Sequence, residues 1–277
     1  PSHMNGISPQ NLRVALAGLG SVGQSIAKVL AAGGVPGIEL TAVTAKNHLK
    51  ARAFLDQYAP QVQVVTLAEL AAHADLVIEC APANLLPEIV IPVLNAGKQI
   101  MVLSVGGLLK HPELIDLARQ QGPVMHIPTG ALIGLDAMLA AAEGTIHSVR
   151  MVTRKPPEGL IGAPHLLEHN IQVEGLTTPL KVFEGNALAA AKGFPANLNV
   201  VVALALAGIG PQKTMLEVWA DPTIKRNVHS IEVDSDSARF SMTMENVPSE
   251  NPKTSKIVGQ SVIALLRKMH SGFRLGT

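Results

Sequence analysis

Three glycines near the start of the chain have a spacing that suits a dinucleotide. The motif Gly-Leu-Gly-Ser-Val-Gly begins at Gly18, directly after an apolar run and before apolar residues at helical spacing. In a strand–turn–helix, Gly18 permits the tight turn, Gly20 lets the backbone approach a pyrophosphate and Gly23 lets helix and strand pack closely. Ser21 and Val22 open the helix, whose N–H groups and dipole favour phosphate. The motif predicts a dinucleotide site, with an ordinary glycine-rich turn as the alternative.

The residues after the second predicted strand bear on the choice between NAD and NADP. NAD-selective sites usually have a carboxylate about 20 residues after the motif, which accepts from the ribose hydroxyls. Here the stretch contains Lys46 and Asn47 but no carboxylate, and Glu39 stands at the beginning of the strand. Lys46, with Asn47 and His48, is placed to meet a 2′-phosphate, so we expect both NADP and NAD to bind. A solvated surface lysine is the alternative for Lys46.

Other reactive residue types do not form a known pattern. The ten histidines include no H-E-x-x-H spacing and no cysteine partner, and His165 and His169 lack a third ligand nearby in sequence, so we predict no metal site. The single cysteine, Cys80, follows a predicted buried strand and is interpreted as a small core residue rather than a nucleophile. A G-x-S-x-G motif is also missing, which disfavours a hydrolase.

Strands and helices alternate through the first half of the chain. Strands are predicted at residues 12–18, 38–43, 62–65, 76–80 and 99–103, with helices after residue 21 and at 49–58, 67–73, 85–96 and 112–121. This alternation indicates a parallel sheet covered on both faces. We predict an α/β protein whose N-terminal domain, residues 6–125, is a doubly wound, Rossmann-type dinucleotide-binding unit.

The pattern of the second half predicts a different kind of domain. Polar–apolar alternation predicts strands of a sheet with one solvent-exposed face at residues 148–153, 171–173, 230–233 and 238–244. A helix is predicted from Pro195 to Gly208, because proline suits a first helical turn. A terminal helix is predicted near residues 255–270, with Thr254 and Ser255 as caps, packing back on the first domain. We therefore expect a second, α+β mixed-sheet domain over residues 126–277.

Composition excludes several functional classes. The 277 residues carry 22 Lys+Arg and 21 Asp+Glu, a net charge of +1, which gives no field for gathering nucleic acid or anionic lipid. Hydrophobic residues make up 47%, enough for a core, but no apolar run reaches the ~18–20 residues that span a bilayer. We expect a cytoplasmic protein without membrane or nucleic-acid partners. Residues 1–5 are interpreted as a disordered start that carries the remnant of a cleaved affinity tag.

Several segments in fixed order resemble the L-aspartate dehydrogenase family. They include Glu-Cys-Ala, Lys-Pro-Pro, Phe-Glu-Gly, Ala-Asp-Pro and Asn-Val-His, and they stand at residues 79–81, 128–136, 155–157, 183–185, 194–200, 220–222, 227–229, 245–248 and 250–255. The resemblance implies a homodimer that interconverts L-aspartate with iminoaspartate, or with oxaloacetate and ammonia, using NAD or NADP. It also implies that the product can feed NAD biosynthesis.

The resemblance also implies site residues. The family's catalytic histidine corresponds to His229, and its contacts near the nicotinamide correspond to Ala131 and Asn199. Asn197 matches the same motif, and we favour Asn199 because it would lie deeper in the helix that begins at Pro195.

The chemistry of amino-acid oxidation is consistent with a histidine. The amine must be neutral before hydride can leave the α-carbon, and hydrolysis of the imine needs a deprotonated water. A base that titrates near neutrality suits both tasks, and an imidazole with its ordinary pKa of ~6.5 would do so without tuning. A hydrogen-bonded structural histidine is the alternative interpretation of His229.

A dicarboxylate substrate needs cations to hold its two ends. The predicted candidates are basic residues, with Asn197 as a further polar contact: Lys155, Lys225 and Lys253, beside Arg154 and Arg226. No single one is assigned to either carboxylate.

Two other functions remain open from sequence alone. One is a related two-domain reductase or dehydrogenase, such as a homoserine dehydrogenase or a dihydrodipicolinate reductase. The other is a non-catalytic dinucleotide sensor, which fold alone does not exclude.

Overall fold

The first half of the chain forms a parallel sheet with helices on both faces. The structure is a computed structural model that describes residues 10–122, 124–196, 198–251 and 254–277. The sheet has six strands: β1 (Leu12–Ala17), β2 (Ile38–Thr44), β3 (Gln63–Val64), β4 (Leu76–Glu79), β5 (Gln99–Val102) and β6 (Met125–His126). Their order is β3-β2-β1-β4-β5-β6 and every pairing is parallel. The strand order reverses between β1 and β4, and dinucleotides bind in the crevice at such a point.

Six helices accompany these strands. They are α1 (Ser21–Ala31), α2 (His48–Tyr58), α3 (Leu70–His73), α4 (Leu86–Asn95), α5 (Gly107–Lys110) and α6 (Glu113–Gln121), with short 3₁₀ turns at Leu67–Glu69 and Ala83–Leu85. Helix α1 packs on the sheet through one apolar face, which buries Ile26, Ala27 and Leu30 at helical spacing. These side chains meet Val14 and Leu16 of β1 in one apolar cluster.

The second half forms a mixed sheet around β7. Its strands are β7 (Ile146–Lys155), β8 (Leu180–Asn186), β9 (Thr214–Ala220), β10 (Asn227–Ser235) and β11 (Arg239–Asn246), in the order β11-β10-β7-β9-β8. Alternate residues of β7 are buried: Val149, Met151, Thr153 and Lys155. The inner face is therefore apolar along most of its length and becomes polar only where β7 ends.

Helices cover the inner face of this second sheet. They are α7 (Leu135–Ala142), α8 (Pro164–Glu168), α9 (Ala187–Gly193) and α10 (Asn199–Ala207), with a 3₁₀ turn at Pro157–Gly159. The final helix, α11 (Lys256–Met269), instead packs on α1, and its Val262 and Leu266 belong to the same apolar cluster as β1. None of the helices among the residues described is long and apolar enough to cross a membrane.

The predicted fold class is confirmed, and two local predictions are wrong. Residues 171–173 are not a strand, since the chain turns at Asn170, with φ of 50°, and Val173 packs into the core. The helix predicted from Pro195 begins at Asn199, because Phe194 leaves helical geometry after α9 and a turn at Pro195 follows. Strands β8 and β9 were not predicted.

The predicted side-chain caps of the terminal helix are also wrong. Ser255 stands at the N-cap of α11 without a side-chain hydrogen bond to the helix. The hydroxyl of Thr254 instead meets the hydroxyl of Ser249 and donates to the carbonyl of Asn251. These contacts fold the β11–α11 loop on itself. The predicted tag remnant, residues 1–5, lies outside the described residues.

The glycine-rich turn is shaped by the close approach of β1 and β4. Gly18 has φ of +116°, and a Cβ there would lie 2.4 Å from the carbonyl oxygen of Cys80. A Cβ on Gly23 would lie 2.4 Å from the carbonyl oxygen of Gly18. By contrast, a Cβ on Gly20 would meet no atom within 4 Å. Two of the three glycines are thus required by packing, and Gly20 borders open space.

This difference predicts opposite effects of alanine at two neighbouring glycines. Gly18→Ala should lower the free energy of unfolding by about 2 kcal/mol or more, because it combines a strained φ with a backbone clash. Gly20→Ala, the matched control, should stay within about 1 kcal/mol of the wild type. Urea denaturation followed by circular dichroism measures both. Equal losses in the two variants would contradict the packing argument.

Candidate active site

A buried carboxylate fixes the crevice edge of the first sheet. Glu79, at the end of β4, is fully buried, and its oxygens accept from the Ser104 N–H and hydroxyl at 2.8 Å each and from the Ala81 N–H at 3.2 Å. Burial raises the pKa of this carboxyl, and the donated hydrogen bonds oppose that change. Glu79 therefore ties the loops after β4 and β5 together beside the glycine turn.

Residues from the second half of the chain reach the same edge. Asn199, the first residue of α10, accepts the Gly106 N–H on its side-chain oxygen at 3.0 Å. Asn246, the last residue of β11, donates its side-chain N–H to the carbonyl of Ala131 at 3.1 Å. Both loops thereby take fixed positions at the carboxyl ends of the parallel strands, where the cofactor of such a fold lies.

The correction to the start of α10 changes the interpretation of Asn199. It does not lie deeper in a helix that begins at Pro195, as predicted, but at the very first turn. Its side chain is exposed at the crevice, and its amide N–H₂ group remains directed away from the Gly106 contact. A cavity of about 200 Å³ borders Gly106 and is lined by Phe194, Leu198 and Val202. Open space therefore lies next to this contact.

The side chain of Asn246 includes a buried acceptor without a partner among the described residues. Its oxygen makes no hydrogen bond with any of them, although the residue is 2% exposed. Leaving a buried acceptor unpaired costs about 1–3 kcal/mol, so such atoms usually meet a ligand or a water. This oxygen, the open space at Gly20 and the N–H groups that begin α1 fit a bound dinucleotide.

His229 lies on the inner face of the second sheet, at its polar end. It stands directly opposite Thr153 in the β10–β7 register, and its Nδ1 lies 3.1 Å from the Thr153 hydroxyl oxygen. Lys155 follows two residues later on β7, so its side chain leaves the same face. All three residues are buried, with exposed fractions of 3%, 0% and 4% respectively. The sheet thus gathers a hydroxyl, an imidazole and an ammonium at one point.

Burial shifts the proton equilibria of this group. It lowers the pKa of His229 to about 3, with the charge of Lys155 as a second cause. Burial also lowers the pKa of Lys155 to about 8. The prediction that the His229 imidazole titrates near neutrality is therefore wrong. His229 is neutral at pH 7, and Lys155 is the member of the pair that titrates in the neutral to mildly alkaline range.

The remaining predicted cations lie in different surroundings. Lys225 and Arg226 are exposed in the β9–β10 loop, at the same end of the sheet as His229. Arg154 points to the other face, where it stacks over Trp219 and pairs with Asp221 at 3.6 Å. Asn197 and Lys253 lie outside the described residues. Of the predicted substrate contacts, Lys155 is thus the one that the structure places beside His229.

The second candidate subsite lies at the end of β2. Lys46 is exposed in the short connection to α2. Asn47 caps that helix, since its side-chain oxygen accepts the Lys50 N–H at 3.0 Å. The Asn47 oxygen is therefore committed to the helix, and the charged group available to a ligand at this position is the exposed Lys46.

Sequence reasoning missed three residues of this arrangement. Glu79 appeared only as part of a motif, and Thr153 and Asn246 were given no role. Thr153 and Asn246 lie on strands whose alternation could have assigned them to the inner face. Their partners, His229 and Ala131, are 76 and 115 residues away in sequence.

The fold joins a sheet of the dinucleotide-binding type to a second, mixed sheet. The parallel sheet has the strand order of dinucleotide-binding domains, and a buried His–Lys pair lies at the polar end of the mixed sheet. Residues 136–269 match the family of aspartate dehydrogenase C-terminal domains, and residues 18–128 match the NAD-binding domain family of homoserine dehydrogenase. The chain belongs to the L-aspartate dehydrogenase family.

Individual relatives agree with this assignment. L-aspartate dehydrogenase 3 of Bordetella bronchiseptica is 56% identical over 270 residues, which cover 98% of this chain and 99% of the relative. L-aspartate dehydrogenase of Bradyrhizobium diazoefficiens is 56% identical over 96% of this chain and 94% of its own. The crystal structure of aspartate dehydrogenase from Thermotoga maritima is 20% identical, with a TM-score of 0.74 over 96% of this chain and 99% of that one. This last likeness shows the shared fold.

The cost of burying Lys155 predicts a pH-dependent stability difference. Because folding lowers its pKa from 10.5 to about 8, the cost is fully present below pH 8 and disappears as the pH rises toward 10.5. Lys155→Met should therefore raise the free energy of unfolding by on the order of 1–3 kcal/mol at pH 7. Urea denaturation should show this gain at pH 7 and little of it at pH 10. A gain that is independent of pH would contradict the assignment of a buried charge.

Proposed function

We propose that this chain oxidises L-aspartate to iminoaspartate, which hydrolyses to oxaloacetate and ammonia, and that it catalyses the reverse reductive amination with NAD or NADP. The observation that carries the proposal is the buried His229–Lys155 pair at the polar end of the second sheet, in a chain 56% identical to a protein named L-aspartate dehydrogenase 3 over nearly its full length. The family membership favours this reaction over a homoserine dehydrogenase or a non-catalytic sensor.

The proposed cofactor contacts follow the crevice. The backbone at Gly18, Gly20 and Gly23, with the N–H groups of Ser21 and Val22, holds the pyrophosphate at the start of α1. A bound nicotinamide would supply the acceptor for the hydride of the substrate α-carbon.

The nicotinamide end of the proposed site has polar groups at fixed positions. Ala131 and Asn199 contact the nicotinamide, and both already have their loops held by hydrogen bonds. Asn246 adds a buried oxygen that can accept from a carboxamide N–H. These groups support a defined orientation of the ring, which hydride transfer requires.

His229 is the proposed catalytic histidine. When its Nδ1 carries the proton and donates to Thr153, its Nε2 is a free acceptor. Because the ring is neutral, its Nε2 can accept a hydrogen bond from the water that attacks the imine carbon and so orient that water. Thr153 restricts the orientation of the ring during that step.

The proposed substrate contacts surround His229. Lys155 contacts the substrate near its amino group from the same face, and Lys225 supplies an exposed cation at the end of the sheet for a carboxylate. Asn197 and Lys253 complete the proposal from sequence. A dicarboxylate therefore meets positive charge at more than one point, which favours it over a monocarboxylate.

The proposed domain division joins the two ends of the chain. Residues 6–125 with the terminal helix α11 form the dinucleotide-binding unit, because α11 shares the apolar cluster of α1 and β1. Residues 126–277, apart from α11, form the catalytic and dimerisation unit. The homodimer, the cytoplasmic location and a place in NAD biosynthesis stay predictions.

The first test is spectrophotometric. Reduced-nicotinamide absorbance should rise with L-aspartate plus NAD or NADP and fall with oxaloacetate, ammonia and reduced cofactor. His229→Asn should lower kcat by on the order of 10²–10⁴-fold while NADH binding stays unchanged. No rate in either direction for the wild type would overturn the function. An unchanged kcat in the folded variant would overturn only the role of His229.

The second test addresses cofactor choice. Lys46→Ala should weaken NADPH binding by about tenfold, the equivalent of ~1.4 kcal/mol, because it removes a charged donor from the 2′-phosphate. NADH binding should change less than about twofold, since NADH has no such phosphate. Fluorescence titration measures both cofactors. Lys50→Ala, one turn further along α2, is the matched control, and an equal effect there would refute a specific contact.

A further inference from the structure

Lys155 is a buried cation without an anionic partner. Its side chain is 4% exposed at the end of β7, and among the described residues it makes no hydrogen bond and no ion pair. An ammonium in such a position costs free energy unless it is neutralised or meets a ligand. A lysine that served packing alone would be replaced at lower cost by methionine or leucine.

The neighbouring charged groups do not neutralise Lys155. From β10, the side chain that faces it is the neutral His229. Asp221, which follows β9, donates its backbone N–H to the Lys155 carbonyl. Its carboxylate, however, accepts from the Thr223 hydroxyl at 2.6 Å and pairs with Arg154. Arg154, the preceding residue on β7, lies on the opposite face. Burial alone therefore sets the proton affinity of Lys155 and lowers its pKa to about 8.

His229 is poorly suited to take a proton from an ammonium group. Its pKa of about 3 makes the imidazolium unfavourable, and the nearby charge of Lys155 opposes a second positive charge. Thr153 can accept from or donate to Nδ1 but supplies no negative charge to stabilise an imidazolium. Between the two buried groups, Lys155 is therefore the better acceptor for the proton of the substrate ammonium.

We propose that Lys155 is the base that removes the proton from the ammonium group of the amino-acid substrate. The inference rests on the proposed function and adds a catalytic residue to it. In this step the N–H bond of the substrate breaks and an N–H bond forms at Lys155 Nζ. The electron pair stays on the substrate nitrogen, where it becomes the second bond of C=N as the α-hydrogen leaves. No oxidation or reduction occurs in the proton transfer itself.

This assignment gives the two buried groups different tasks. Lys155 takes the proton of the substrate nitrogen before hydride transfer, and His229 orients water after it. A lysine that instead held a carboxylate would need to stay charged throughout. The two roles differ in one property, because a base must be able to lose its proton and a carboxylate-binding cation must not.

Arginine and alanine at position 155 separate these roles. Arginine keeps the positive charge but does not deprotonate in proteins. Initial rates of L-aspartate oxidation are measured from pH 6 to 10 for wild type, Lys155→Arg and Lys155→Ala, each with and without methylamine. Circular dichroism and NADH fluorescence titration verify that each variant folds and binds cofactor. Lys192→Ala, an exposed position on α9, is the matched control.

The base assignment predicts a distinct set of results. Wild-type kcat/KM should rise with pH through about 8 and then level. Both variants should lose at least about 100-fold in kcat and lack that rise. Methylamine should partly restore Lys155→Ala, and the restored rate should grow with pH as the free amine increases. Wild type and Lys192→Ala should not respond to methylamine.

Other results would overturn the inference. If Lys155→Arg keeps kcat within about threefold and raises only KM, Lys155 is a carboxylate-binding cation. If methylamine restores Lys155→Ala better at low pH, the ammonium form is the active one and the base role is wrong. A wild-type chain that is inactive with L-aspartate in both directions overturns the proposed function, and this inference with it.

Discussion

The mixed sheet must bury the ammonium group of Lys155 beside the neutral imidazole of His229, and this is the strongest constraint on its packing. Lys155 and His229 stay buried because neighbouring strands present Met151, Ile231 and Val218 to the same core. The apolar packing along the sheet offsets the cost of its polar end. The protein is thus locally less stable where it buries the Lys155 ammonium, an arrangement that is common where residues serve function. Helices α9 and α10 pack over β8 and β9 of the same sheet.

The second organising element is a set of hydrogen bonds between segments far apart in sequence. The Asn199 side chain accepts the Gly106 N–H, and the Asn246 side chain donates to the Ala131 carbonyl. The Gly130 N–H donates to the Ser261 hydroxyl at 3.1 Å. Each joins a loop at the carboxyl edge of the first sheet to an element from the second half of the chain. The loops that would surround a nicotinamide are therefore ordered by the protein itself, so less conformational entropy is lost on binding.

Local signals in the sequence predicted the first sheet and the glycine turn well. Gly18 and Gly23 are read correctly because no other residue fits their positions. The His–Lys–Thr arrangement was beyond sequence reasoning, since it depends on the register between β7 and β10 and on burial, which no local pattern specifies. The start of α10 was misplaced because Pro195 suits both a helix start and a turn. A pKa could not be assigned to His229 before its neighbours were known.

The packing of α11 against α1 bears on how the molecule is made. A Cβ on Gly259 would lie 2.4 Å from the Ser25 hydroxyl, so the two helices approach closely there, and Arg267 donates to the Gly34 carbonyl at 2.8 Å. During synthesis, α1 emerges from the ribosome more than 220 residues before this partner does. The apolar surface of α1 that α11 covers therefore stays uncovered until the strands of the mixed sheet have been translated. The apolar cluster around β1 thus combines residues made early in synthesis with residues made more than 220 positions later.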